Sequence, residues 1–258
     1  MFKARLTDSN ILKKVFDNIK DLVTDANFIC TDEGIQMQAM DSSRVALVCL
    51  TLLTDGFETY ECPRDFTLGI NVPTFSKIMK CAETSDSLTL EAEPDGDKLF
   101  ITLDSPSGNR SSTFELNRIS IDEENVQIPE LEYTCSVTMP CSQLQHAIRD
   151  LSNFGDTCII QIKESLIEFS VKSTLGSALL SFKNDDSSKK KEDHVLINCN
   201  DDIRLMFAIK YLAQFTKTTG ISDQVNIFMS AETPINVTFD MGDVGSVNYY
   251  LAPKIEDD

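Results

Sequence analysis

Tryptophan is absent from this chain, and histidine occurs only as His146 and His194. Two imidazoles so far apart nucleate no metal cluster. None of the eight cysteines (Cys30, Cys49, Cys62, Cys81, Cys135, Cys141, Cys158, Cys199) forms a C-x-x-C pair, so no metal and no cofactor is expected. Most of these cysteines lie in apolar patterns, which predicts buried, reduced thiols. No apolar run approaches a membrane span, and Met1-Phe2-Lys3-Ala4-Arg5 has no apolar signal core behind it. The expectation is an intracellular protein of cytosol or nucleus without membrane contact. Catalytic signatures are missing as well: there is no G-x-S-x-G, no P-loop, no H-E-x-x-H and no dinucleotide glycine fingerprint. Asp185-Asp186 and Asp201-Asp202 read as loop acids in an acidic chain, so no catalytic residue and no enzyme is expected. Positive charge is scarce, with 23 Lys and Arg against 41 Asp and Glu, a net charge of -18. Spread evenly, that charge would repel nucleic acid and anionic membrane alike.

The 258 residues suffice for two domains, and their order repeats. A strand-like Phe2–Leu6 leads to a helical period over Ile11–Val23, whose apolar residues fall in an arc of about 140°. Strand patterns follow at 26–30, 34–40, 45–52 and 66–70. A short helix runs from Asn71-Val72-Pro73 to Cys81, and strands follow at 87–92, 99–103 and 111–116. The second half predicts a strand at 135–139, a helix at 140–151, strands at 158–163, 166–171, 178–182 and 194–198, a helix at 205–218, and strands at 224–229, 235–240 and 246–251. Ile19-Lys20-Asp21-Leu22 aligns with Ile148-Arg149-Asp150-Leu151, and Ser85-Asp86 with Ser222-Asp223. The fold class is α+β: two similar domains, 1–117 and 135–258, each with two helices packed on antiparallel sheets. Between them, 118–134 is acidic and without period, yet it carries Ile119, Ile121, Val126, Ile128 and Leu131. It reads as a connector that offers Val126 and Ile128 on its surface, or as an ordinary acidic linker with those side chains tucked under. Lys189-Lys190-Lys191 reads as an exposed hairpin tip or a short nuclear-localisation signal.

The sign of the charge reverses in the helices. Over 9–23, 73–81, 141–151 and 209–218 stand Lys13, Lys14, Lys20, Lys77, Lys80, Arg149, Lys210 and Lys217 against only Asp17, Asp21 and Asp150. The rest of the chain holds 15 bases against 38 acids. Lys77 and Lys80 lie opposite Phe75 and Met79, and His146 and Arg149 lie opposite Leu144 and Leu151. Four basic helical faces in an acidic body suit a surface that meets duplex DNA through its phosphates and is repelled elsewhere. No aromatic residues interleave with these bases, which disfavours stacking on single strands.

Several stretches carry a family resemblance: Phe2–Leu6, Ile11-Leu12-Lys13-Lys14-Val15, Lys20-Asp21-Leu22, Met40-Asp41-Ser42-Ser43, Ser76-Lys77-Ile78, Ile128-Pro129-Glu130, Arg149-Asp150-Leu151-Ser152 and Tyr249–Ile255. In these, the chain resembles the eukaryotic DNA sliding-clamp family of the proliferating cell nuclear antigen over essentially its full length. The resemblance implies a closed homotrimeric ring, helices lining the hole, and a nuclear processivity factor for DNA polymerase in replication and repair. It maps the family's DNA-facing positions onto Lys13, Lys14, Lys20, Lys77, Lys80, Arg110, His146, Arg149, Lys210 and Lys217. Family partners (polymerase, clamp loader, flap endonuclease, ligase and other PIP-box proteins) carry a Gln-x-x-aliphatic-x-x-aromatic-aromatic peptide. The pocket implied for it is Met40, Arg44, Val45, Leu47, Val126, Ile128, Pro129, Ala208, Pro234, Tyr250, Ala252, Pro253 and Lys254, the last three offering backbone. Edge strands 110–116 and 175–182, with Cys81, Arg110, Phe114, Leu175 and Leu179, are the implied subunit interface. The family's modified lysine falls on Glu164, with Lys163 one residue earlier on the opposite face of a strand. A subunit of a heterotrimeric checkpoint-type clamp is the alternative within the same fold.

Overall fold

Alternation at the start of the chain becomes β1 (Phe2–Leu6), buried on every second residue. The computed structural model describes residues 1–122, 132–174, 176–187, 193–218 and 220–255. Val126, Ile128, Pro129, Leu175 and Lys189-Lys190-Lys191 lie outside the described residues. The chain divides into Met1–Val126 with Met241–Val247, and Gln127–Asp240 with Asn248–Asp258.

In the first unit, β1 is followed by α1 (Asn10–Ile19), β2 (Asp25–Thr31), β3 (Gly34–Met40), β4 (Ala46–Leu53), β5 (Thr59–Glu61), β6 (Phe66–Asn71), α2 (Val72–Met79), β7 (Ser87–Ala92), β8 (Lys98–Asp104) and β9 (Ser111–Asn117). One sheet has the order β5-β1-β7-β8-β9, and the other strands run β4-β3-β2-β6. Asn71 caps α2: its side-chain oxygen accepts from the Thr74 amide at 3.0 Å, and Pro73 stands in the first turn, where a missing N–H costs nothing. The two helices bury their apolar stripes together, with Phe16 4.3 Å from Phe75 and 5.7 Å from Phe28 between ring centroids. The expected helix to Val23 stops at Ile19, and Asp21 and Leu22 continue as tighter turns with amides on Asn18 and Ile19 carbonyls.

The second unit repeats this order with β10 (Cys135–Pro140), α3 (Cys141–Leu151), β11 (Thr157–Lys163), β12 (Leu166–Ser173), β13 (Gly176–Lys183), β14 (Leu196–Cys199), β15 (Ile203–Ala208), α4 (Ile209–Phe215), β16 (Gln224–Met229), β17 (Ile235–Asp240) and β18 (Gly245–Leu251). The sheet orders β14-β10-β16-β17-β18 and β13-β12-β11-β15 repeat those of the first unit strand for strand. So do the ties that start the helices. The Ser9 amide donates to the Asp86 carbonyl and the Cys141 amide to Asp223, while Val72 donates to Thr24 and Ile209 to Asp156. The fold is a duplicated α+β arrangement.

Two expectations need correction, and one strand, β5, was not expected. The helix expected from Leu205 begins at Ile209, because Ile203–Ala208 pairs with β11, placing Leu205 opposite Ile160 and Phe207 opposite Cys158. A short apolar run satisfies either period, and the free edge of β11 decides. β5 is too short to show a pattern, and only its pairing with β1 makes it a strand. The thiols are of mixed kinds. Cys30, Cys49, Cys141 and Cys158 are buried, and burial pushes the last three up to about 12. Cys81 is exposed and Cys62 half-buried, while Cys135 and Cys199, opposite each other on β10 and β14, form a disulfide.

Candidate functional site

Helical periodicity places the basic side chains on the faces turned away from each core. In the first unit Lys14, Lys77 and Lys80 are exposed, and Lys13 and Lys20 are half-buried. They are organised rather than loose. Lys13 Nζ donates to the Ala82 carbonyl at 2.6 Å, tying α1 to the end of α2. Asp17, an acid on this face, bonds Lys20 through its carboxylate and lies 3.0 Å from Lys80 Nζ. The Lys20 ammonium and then the Lys80 ammonium, working against partial burial, hold the Asp17 carboxyl below its ordinary range. One carboxylate thus bridges two helices and holds two ammonium groups side by side. In the second unit His146, Arg149, Lys210 and Lys217 are exposed. Arg149 bonds neighbouring Asp150 at 3.0 Å, and Lys210 lies 4.8 Å from the ring centroid of Tyr211.

Arg110 does something else. Its guanidinium sits on both carboxylate oxygens of Asp86, at 2.9 and 2.8 Å, and 3.4 Å from Glu83. Asp86 is only 1 % exposed. Burial alone would raise its carboxyl, but the Glu83 amide and the Arg110 guanidinium outweigh that and hold it below the ordinary range. A depressed carboxyl stabilises the fold above its unfolded value and loses that contribution as pH falls through the folded one. Arg110→Met is therefore expected to lower the melting temperature at pH 7. The difference from wild type should begin to shrink as pH drops below about 4, where the unfolded carboxyl takes up a proton, and should close as pH falls through the lower value of folded Asp86. Melting curves across that range check it.

On the outer face of the first unit, Asn27, Ile29, Gln36, Gln38 and Met40 alternate outward along β2 and β3. With Asp25, Asp41, Arg44, Leu47, Ile121 and Asp122 they line a groove of about 500 Å³. Asp41 builds its rim: the carboxylate accepts the amides of Ser43, Val45 and Ala46 at 2.8–3.1 Å, and Arg44 adopts a left-handed φ of 57°. That turn leaves Val45 exposed, while Leu47 is buried. Of the expected pocket, the groove gathers Met40, Arg44 and Leu47. Asn27, Gln36 and Gln38 escaped sequence reasoning, although outward alternation on adjacent strands was the available signal, and Ile121 was read as an apolar connector residue without being placed in the pocket.

The second unit holds Ala208, Pro234, Tyr250, Ala252 and Pro253 half-buried and Lys254 exposed. Tyr133 was also missed: its hydroxyl donates to the Pro234 carbonyl at 3.3 Å, and burial first, then proximity to Tyr250, pushes its phenol up to about 12. The Lys254 amide already donates to the Met206 carbonyl at 2.7 Å, so of its backbone groups only the carbonyl is left for a partner.

β9 and β13 are edge strands of their sheets. Phe114 is half-buried on β9, whereas Leu179 on β13 is 61 % exposed. Cys81 is exposed at the end of α2. Lys163 closes β11 with its ammonium 3.3 Å from Glu168, and Glu164 lies in the following turn. Among the described residues, no group of three or more His, Cys, Asp or Glu could hold a metal ion, and no helix is long and apolar enough to cross a membrane.

Two family models match the chain. Residues 1–125 match the proliferating cell nuclear antigen N-terminal domain, and residues 127–254 match the proliferating cell nuclear antigen C-terminal domain.

Proposed function

The chain belongs to the proliferating cell nuclear antigen family of DNA sliding clamps, non-enzymatic scaffolds of replication and repair, and from that premise we propose that it acts as a homotrimeric ring around duplex DNA in the nucleus. In this reading it is a processivity factor for replicative polymerases. The observation that carries it is the segregation of charge: exposed bases on all four helices of a chain whose net charge is -18. An acidic exterior excludes nucleic acid everywhere except at the basic face, and lysine–phosphate contacts are indifferent to sequence, which permits sliding. The edges of β9 and β13 expose unpaired backbone groups, a liability that ring closure between copies removes. Lys13, Lys14, Lys20, Lys77, Lys80, Arg149, Lys210 and Lys217 are proposed to face the duplex. His146 is proposed to make the weakest of these contacts. Arg110 is assigned chiefly to Asp86.

Partner proteins are proposed to dock through a Gln-x-x-aliphatic-x-x-aromatic-aromatic segment on the outer groove at Met40 and Leu47. Val126, Ile128, Pro129, Pro234 and Tyr250 are the further residues that the family resemblance assigns to that segment. Each buried apolar anchor contributes roughly 1.5–3 kcal/mol before ordering costs, so two or three give modest, exchangeable affinity.

Retention on DNA tests the ring. Loaded onto a nicked circular duplex by a clamp loader with ATP, the protein is expected to stay bound through a high-salt wash and to leave within minutes once the circle is cut. Equal loss from intact and cut circles would overturn the encircling reading.

A further inference from the structure

The groove has a wall that β2 and β3 do not supply. Ile121 and Asp122 belong to the first stretch of the connector, which lies after β9 and outside any strand. A loop of this composition has no period to hold it, yet 118–121 is tied down at Arg118, Ile119 and Ile121. The Arg118 amide donates to the Asp97 carbonyl at 2.8 Å, and the Ile119 amide to Gly69 at 2.8 Å. Asn27 Nδ2 reaches the Ile121 carbonyl at 3.1 Å. The Ile119 carbonyl approaches Gly69 so closely that any Cβ at that position would collide with it, so a glycine in β6 is what lets the segment lie along the sheet edge.

The fixed point is Arg118. Nη1 donates to the carbonyls of Glu93, Pro94 and Gly96 at 2.9, 3.1 and 2.6 Å, and Nη2 to that of Thr67 at 2.7 Å. The guanidinium also lies 5.6 Å from the Phe66 ring centroid. One side chain therefore joins β6, the β7–β8 turn and the connector. Only a planar fork with five donors satisfies carbonyls arriving from such different directions, which an ammonium cannot match.

We propose that Arg118 is a positioning residue for partner recognition: by fixing 118–121 it holds Ile121 and Asp122 as a preformed wall of the groove that takes the aliphatic-aromatic peptide. The inference rests on the docking reading above and deepens it. A wall fixed before the peptide arrives need not be ordered by it, and removing that pre-organisation weakens binding without removing a peptide contact.

The test uses the full chain and a fluorescent Gln-x-x-Leu-x-x-Phe-Phe peptide, with Arg118→Met, Arg118→Lys and Leu47→Ala beside wild type. Arg118→Met is expected to raise the peptide Kd about tenfold, Arg118→Lys to fall between, and both to keep native mass and retention on circular DNA. Hydrogen exchange at the Ile119 amide should quicken in Arg118→Met while the β3 amides stay protected, a change that a uniformly destabilised fold would not produce. Wild-type affinity in Arg118→Met, with Leu47→Ala weakened, overturns the inference and leaves the docking reading standing. Wild-type affinity in Leu47→Ala, or no peptide binding by wild type, overturns both. Where Arg118→Met fails to fold, the folded Arg118→Lys decides: weaker binding supports the role, and unchanged binding overturns it.

Discussion

Alanine at Lys20, Lys77 and Lys80 together is expected to loosen the grip on DNA in a way that salt reports directly. Each lysine–phosphate contact releases condensed counterions, so the logarithm of affinity falls with the logarithm of salt at about 0.9 per contact on duplex DNA. With three contacts removed, the slope should become shallower by nearly three (about 0.9 for each), and affinity at low salt should drop steeply and equally for all sequences. The fold should survive, since Lys77 and Lys80 project from the exposed face of α2 and the α1 core is made by Leu12, Val15, Phe16 and Ile19. Asp17→Asn should move the slope the opposite way, because it releases two ammonium groups that the Asp17 carboxylate now shares. An unchanged slope in the triple variant would remove Lys20, Lys77 and Lys80 from the DNA-facing surface.

Leu179→Glu should be the most disruptive single change to assembly while leaving the chain folded. Leu179 is 61 % exposed within the chain, so nothing in its own core depends on it. A large apolar side chain so placed on an edge strand is what a partner strand covers. Burying a carboxylate there without a counter-charge would oppose pairing. The expected native mass of wild type by light scattering is about 86 kDa, three copies of a 28.8 kDa chain. In Leu179→Glu it should fall to that of one chain, and retention on circular DNA should be lost with it. A variant that stays at the trimer mass would place the subunit contact elsewhere. A wild type that is itself monomeric would point to a clamp subunit that assembles with other chains.

Much of this was legible in the residues alone because it depends on period. A helix repeats every 3.6 residues and a strand every two, so sequence spacing reports which side chains share a face. That is why the apolar stripe of α1, the bases opposite Phe75 and Met79, and the alternation of β1 were readable. The duplication was readable too, since the same order of elements recurs with the same Lys/Arg-Asp-Leu step at the end of α1 and α3.

Where partners are distant in sequence, spacing carries no information, and there the tertiary structure decided. Ile203–Ala208 is a strand because β11 offers it an edge, although its apolar run continues into α4. Arg110 serves the buried Asp86, twenty-four positions earlier, and Cys135 meets Cys199 across sixty-four. Arg118 looked like one more charge at the start of an acidic connector, until β6 and the β7–β8 turn brought four carbonyls to its guanidinium. By itself the sequence determined the faces: which residues are buried, which are wet, and where positive charge gathers. The fold decided the pairings, because hydrogen bonds and ion pairs act over a few ångströms and only chain topology brings those groups within reach.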